Sequence, residues 1–263
     1  MSLRRLCASA LALAMAVVAI GSPAAADVPS PPIIGLPGAG WSGEWKFTGA
    51  NAWQYSITMP GASVTGTGWD TSDVRMFSGM LTDTSPEADR CAVLTFEETA
   101  GYQTFVACDG SVYFSHNDPT PAQYTFTLVL RNIVDAHYFS ATARLKVPST
   151  KYLPELRANN VGGKWSFAST SHGEYRIVRP GVIVQGEMHG WDYRSADATT
   201  SAFSTCARTS LEDGDWTRAE GEVCNGSVEI AATVTISRDF EVRSCLLTAR
   251  AGTETKCFGL LIP

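Results

Sequence analysis

Sliding the chain against itself by 120 positions superimposes Gly43 on Gly163, Trp45 on Trp165, Phe47 on Phe167, Tyr55 on Tyr175, Ile57 on Ile177, Pro60 on Pro180, Gly61 on Gly181, Val64 on Val184 and Gly66 on Gly186. Nine identities fall in a window of 24 residues, where ordinary composition gives about one or two. The chain reads as a tandem duplication, so its fold has to be built twice. Beyond the window the offset drifts, to 122 at Gly68-Trp69-Asp70 and Gly190-Trp191-Asp192, 115 at Cys91 and Cys206, 116 at Cys108 and Cys224, and 106 at Thr142-Ala-Arg144 and Thr248-Ala-Arg250. Stepwise drift places insertions and deletions in loops.

These matches divide the chain. Residues 1–26 read as a secretory signal, with Arg4 and Arg5 before an apolar stretch and Ala24-Ala25-Ala26 at the cut. The apolar stretch is shorter than the roughly 20 residues a membrane-spanning helix needs. Residues 27–40 form a Pro- and Gly-rich lead-in, 41–147 and 162–263 are the two repeated domains, and 148–161 are a linker. The expected protein is secreted, extracellular and monomeric, with no membrane span.

Period-two alternation dominates inside each repeat. Trp53, Tyr55, Ile57 and Met59 alternate with polar residues, as do Tyr124, Phe126, Leu128 and Leu130, and the second repeat has Val228, Ile230, Ala232, Val234 and Ile236. Each run is a strand with one buried face. Asp109-Gly110 and Asn225-Gly226 are expected to close hairpins through positive φ. Ser85-Pro86 resembles a helix start, but its counterpart around Ser201 does not, so the segment reads as a loop entering a strand. The fold class is therefore all-β: two tandem antiparallel domains, each a small meander barrel or flattened sandwich.

Six cysteines follow the signal, and six allow 15 pairings. The repeat maps Cys91 and Cys108 onto Cys206 and Cys224, leaving Cys245 and Cys257 as an addition. Hairpin registers in which paired positions sum to 199, 430 and 502 join Cys91 to Cys108, Cys206 to Cys224 and Cys245 to Cys257, with tips near Thr99, Asp215 and Ala251. Such staples suit an oxidising compartment.

Loss of Arg4 and Arg5 with the signal takes the formal charge from −6 to −8, with 18 basic and 26 acidic residues. That surface disfavours nucleic acid. Ser171-His172-Gly173-Glu174 resembles the Ser-His-Gly-Cys signature of L,D-transpeptidases, but Glu174 stands where the nucleophilic cysteine belongs. His116, His137 and His189 are scattered, and no zinc or serine-hydrolase motif occurs, so neither metal nor cofactor is expected. The acidic clusters Asp83, Glu87, Asp89 and Glu212, Asp213, Asp215 read as turn acids, without the ligand order of a calcium loop.

Gly43-Glu-Trp45 and Gly163-Lys-Trp165 open each repeat with Gly-x-Trp before a run of strands, which resembles the first strand of lipocalins and avidins. The resemblance implies an up-and-down barrel with an apolar cavity, although the lipocalin Thr-Asp-Tyr signature is missing. On the residues alone, Trp45 and Trp165 are core plugs.

Gly-Trp-Asp is the pattern that carries a candidate site. Trp69 and Trp191 could offer flat faces to a sugar ring or peptide, with Asp70 and Asp192 accepting hydroxyl or amide hydrogens. The preferred reading is structural: a turn glycine, a packed indole and a carboxylate bonded to turn backbone. The function expected is that of a non-enzymatic binding protein engaging cell-envelope glycans or another protein. The alternatives are an inhibitor of a foreign enzyme, acting through a stapled loop, and a hydrolase with a carboxylate site.

Overall fold

The computed structural model of the chain describes residues 39–70, 74–98, 101–119, 123–132, 139–148, 161–169, 171–189, 193–200, 206–214, 216–233, 240–247 and 254–262. The signal, most of the lead-in and the interior of the linker lie outside them, as do His137, Val234, Ile236 and the hairpin tips at Thr99, Asp215 and Ala251. Every regular element among the described residues is a strand. The first nine are β1 (Trp41–Phe47), β2 (Ala52–Met59), β3 (Ala62–Asp70), β4 (Val74–Asp83), β5 (Arg90–Glu98), β6 (Gly101–Ala107), β7 (Ser111–Pro119), β8 (Gln123–Asn132) and β9 (Phe139–Pro148). The second nine are β10 (Gly162–Ser169), β11 (His172–Arg179), β12 (Val182–His189), β13 (Tyr193–Thr200), β14 (Cys206–Asp213), β15 (Trp216–Cys224), β16 (Gly226–Thr233), β17 (Phe240–Leu247) and β18 (Glu254–Ile262). No described helix is long and apolar enough to cross a membrane.

The strands form three antiparallel sheets. A ten-stranded sheet runs β16-β13-β12-β11-β10-β1-β2-β3-β4-β7, and two four-stranded sheets run β6-β5-β8-β9 and β15-β14-β17-β18. The same connectivity recurs in each half. β1 to β4 and β10 to β13 are meanders, closed by tight turns at Pro60-Gly61 and Pro180-Gly181 in which the glycines have φ of 86° and 80°. Proline presets the first central position of such a turn and glycine tolerates the second.

The meander then stops. After β4 the chain passes through a loop to β5 in the opposing layer, and β7 returns to pair with β4. Asp109 and Asn225 have the expected positive φ, 56° and 57°. They do not close hairpins, because β6 and β7 lie in different sheets, as do β15 and β16. Turn chemistry reverses the chain without choosing which strand the next one pairs with. The outcome is a layered sandwich, since no ladder among the described residues joins the large sheet to either small one. The described strands do not form the up-and-down barrel implied by the Gly-x-Trp resemblance.

Between the layers of the first half lies an aromatic core. Tyr55 stacks on Phe126 at 4.6 Å between centroids, Trp53 meets Phe77 edge-on at 4.9 Å, and Phe96 meets Phe126 at 5.1 Å. These spacings fall in the favourable range for ring pairs. His116 belongs to this core, stacked on Phe77 and Phe96. The second half is less aromatic: Arg194 lies over Phe240 and Arg179 over Phe258.

The halves meet strand to strand. β1 pairs with β10 so that Glu44 faces Lys164, Gly43 faces Trp165 and Trp45 faces Gly163. Glu44 and Lys164 are counterparts 120 positions apart, so an approximate two-fold passes between them. A Cβ on Gly43 would come within 2.6 Å of the Trp165 ring, and one on Gly163 within 3.0 Å of Trp45 Nε1. Gly-x-Trp is thus a reciprocal lock, with each glycine vacating the space that the other half's buried indole fills.

Disulfides join Cys91 to Cys108, Cys206 to Cys224 and Cys245 to Cys257. The last two are direct cross-strand pairs, of β14 with β15 and of β17 with β18. Cys91 lies on β5 and Cys108 immediately follows β6, continuing the register of Ala92 with Ala107. The loop after β4 is held by Asp83, which accepts the backbone N–H groups of Ser85 and Asp109, while Asp213 accepts from Arg218. Both acids serve turns and strand ends.

Candidate functional site

Trp69 and Asp70 are neighbours on β3, so they point to opposite faces of the sheet. Asp70 points inward, is 2 % exposed, and accepts from the fully buried guanidinium of Arg75 through both Nε and Nη2, the latter at 2.7 Å. Arg75 in turn lies over the Trp53 and Phe77 rings at 5.8 and 6.0 Å. A buried pair of this kind costs several kcal/mol to break from one side, about 3–5. Asp70 is therefore part of the core, on the face of the sheet opposite Trp69.

Trp69 points outward and is 54 % exposed, opposite Ala52 on β2 and Met76 on β4. The expectation that this indole packs is overturned. The signal was present in the sequence, because Val64 is an inward residue and position 69 has the opposite parity. Trp191 and Asp192 lie outside the described residues. In the second half the register position of Trp69 is held by a histidine: Ala52 faces Trp69, and 120 residues later His172 faces His189.

Around Trp69 the outer face of β2, β3, β4 and β7 carries Met76, Met80 and Tyr113, the last 65 % exposed. Nothing in the sequence marks these three as surface residues, because Met76 adjoins Phe77, Met80 adjoins Leu81 and Tyr113 lies between Val112 and Phe114, and only the pairing of β3, β4 and β7 brings them to one face. Beside them runs a groove of about 620 Å³ lined by Gln54, Ser56, Thr65, Thr67, Ser78 and Tyr113. Its side chains are mostly neutral hydroxyls and amides, with Glu44 and Lys46 toward the β1 end. By strand spacing, Trp69 and Tyr113 stand about 16 Å apart on this face.

The matching surface of the second half is a groove of about 760 Å³ lined by Glu174, Arg176, Gln185, Glu187, Asp197 and Glu229 among others. Its register positions are the same and its chemistry is not. Tyr113 corresponds to Glu229, Met80 to Asp197, Thr67 to Glu187 and Gln54 to Glu174, as the pairings with β4 and β13 show. At one end, His172, Glu187 and His189 bring one ligand atom each within 4.8 Å of one another. The Ser-His-Gly-Glu stretch that resembles a transpeptidase signature is a turn residue, Ser171, followed by β11.

A tyrosine borders each groove. The hydroxyls of Tyr55 and Tyr175 donate to the backbone carbonyls of Ser78, at 3.4 Å, and Ser195. Burial raises both pKa values far above the ordinary tyrosine range; Tyr113 adds to the effect at Tyr55, and Arg194 opposes it at Tyr175. Both phenols stay neutral at physiological pH and act as donors and walls, not as bases.

No protein-family model matches this chain, and no curated protein is significantly similar to it.

Proposed function

We propose that the protein is an exported, non-enzymatic binding protein, built by tandem duplication of one β domain, and that it engages a neutral cell-envelope glycan on the outer face of β2, β3, β4 and β7. The observation that carries this reading is Trp69, an indole 54 % exposed on a strand that is paired on both sides. An exposed aromatic on the same face as the hydroxyls of Thr67 and Ser78 supplies what a sugar ring needs, an apolar surface and hydrogen-bond partners beside it. Absence of carboxylates along most of that groove favours a neutral ligand over a cationic one, and the acidic surface of the mature chain disfavours phosphate polymers. Disulfides in both halves and the leading apolar segment support export.

The test is retention of the mature protein on insoluble cell-wall polysaccharide. Trp69→Ala and Tyr113→Ala should each weaken retention while changing stability by no more than about half a kcal/mol, as for exposed positions generally. Trp216→Ala, which removes an indole 63 % exposed on β15, the edge strand of a small sheet, should leave retention intact. Retention unaffected by Trp69→Ala would remove the basis of the proposal. One observation supports the hydrolase alternative: Glu174 and Glu187 face each other across β11 and β12 in an open groove. Release of reducing ends from the same polysaccharide, lost in Glu174→Gln or Glu187→Gln, would decide for it.

A further inference from the structure

We propose that His172, Glu187 and His189 form a binding site for a divalent transition metal of the zinc class, independent of the glycan reading. The β11–β12 hairpin fixes the backbone of the site. Its register is unbroken from Arg179 opposite Val182 at the turn to His172 opposite His189 at the open end, with Glu174 opposite Glu187 between them. Gly173, Tyr175 and Met188 occupy the inward positions, so both histidines and both glutamates stand on the outer face as the corners of a rectangle.

The distances suit a small cation. His189 Nε2 lies 2.6 Å from Glu187 Oε2, His172 Nε2 lies 3.5 Å from Glu174 Oε1, and the imidazole centroids are 4.9 Å apart. Tetrahedral zinc with bonds of about 2.0–2.1 Å needs donor atoms about 3.3 Å apart. The present donors, within 4.8 Å of one another, bracket that separation. His189 and Glu187 are half exposed, so rotation about their side-chain bonds closes the difference without moving the strands.

Charge points the same way. Carboxylates directly opposed across two antiparallel strands repel, and Asp197 and Glu229 line the same groove against Lys164 and Arg176. A dication between the imidazoles and Glu187 offsets that repulsion. Two imidazole nitrogens and one carboxylate oxygen favour zinc, copper or nickel over calcium or magnesium, which take oxygen donors. Three protein ligands on an open face leave a coordination position for water or for a ligand group. The first half is a built-in control: Ala52, Thr67 and Trp69 stand at the corresponding register positions and provide no such donor set.

The experiment is titration of tag-free, metal-stripped mature protein with Zn²⁺ in competition with a chromophoric chelator. One zinc per chain is expected, undisturbed by excess Ca²⁺ or Mg²⁺. His172→Ala, His189→Ala and Glu187→Gln should each weaken it by about tenfold or more, a loss at least as large as that from disturbing an outer-shell partner. Trp69→Ala should leave the affinity unchanged, which separates failure of this site from failure of the glycan surface. X-ray absorption of the zinc complex should show two imidazole nitrogens. Circular dichroism and melting of the metal-free variants should match the parent, because all three side chains are on the solvent face. Absence of zinc uptake by the folded parent, or uptake unchanged in the His172→Ala/His189→Ala double variant, overturns the proposal.

Discussion

The two halves of the large sheet share a backbone plan, and the residues they have in common lie on one of its faces. Along β1–β3 and β10–β12, seven of the nine identities point inward and the other two form the Pro-Gly turn. Every outward position compared there differs: Glu44 with Lys164, Lys46 with Ser166, Gln54 with Glu174, Ser56 with Arg176, Thr65 with Gln185, Thr67 with Glu187 and Trp69 with His189. Inward side chains are held by close packing, where one methylene is felt. Outward ones are free to change chemistry. Even an inward difference is compensated, because Trp53 opposite Gly68 in the first half becomes Gly173 opposite Met188 in the second, the large residue having crossed to the partner strand. One strand order repeated along a sheet can thus keep similar inward residues and carry two unlike surfaces.

Four perturbations break or sharpen this comparison. The largest concerns the staples, of which the second half has two and the first one. Each contributes about 2–4 kcal/mol. On reduction, amides of β14, β15, β17 and β18 should therefore lose more hydrogen-exchange protection than those of β5, β6, β8 and β9; equal losses would show that the halves unfold as one unit.

Next comes the lock between them. Trp45→Ala and Trp165→Ala each remove an indole that is fully buried and should cost about 3–5 kcal/mol in denaturant unfolding. The expected symmetry is the informative part, since a cost at only one of them would mean that the lock is one-sided.

The crossed large residue can be tested by a double-mutant cycle. A Cβ on Gly68 would lie 2.0 Å from the Trp53 ring, so Gly68→Met alone should destabilise strongly, and Trp53→Gly alone should open a cavity. Together they copy the second half, and the pair should recover about 0.5–3 kcal/mol relative to the sum of the singles. Strict additivity would mean that the sites do not compensate one another.

The smallest effect near neutral pH concerns the shared tyrosines. Their raised pKa values mean that the folded state favours the neutral phenol, so the contribution is fully present below about pH 10, the unfolded value, and is lost as pH rises above it. Melting temperature should fall on the alkaline side, and Tyr55→Phe or Tyr175→Phe should flatten that fall. An alkaline limb identical in the two variants and the parent would assign it to other groups.

Much of this fold was legible in the residues. Alternation locates β2, β8 and β16, the residues just before β5 carry loop chemistry and form a loop, and the cysteine positions imply the registers that the sheets adopt. The candidate site was half legible. Parity could have sent Trp69 outward and Asp70 inward, but Arg75 as the partner of Asp70, and the meeting of His172 with His189, depend on pairing between strands. Histidines 17 positions apart look scattered until a hairpin register sets them side by side.

The sequence by itself determined the strand content, the recurrence of one pattern and the residues that can be buried, because these follow from local periodicity and composition. Only the tertiary structure decided that β7 returns to β4, that the Asp109-Gly110 turn changes layers, and that Gly43 and Gly163 exist to admit each other's tryptophans. Those features arise from contacts between residues far apart in the chain, where sheet ladders and ring packing choose among partners that local chemistry leaves equivalent.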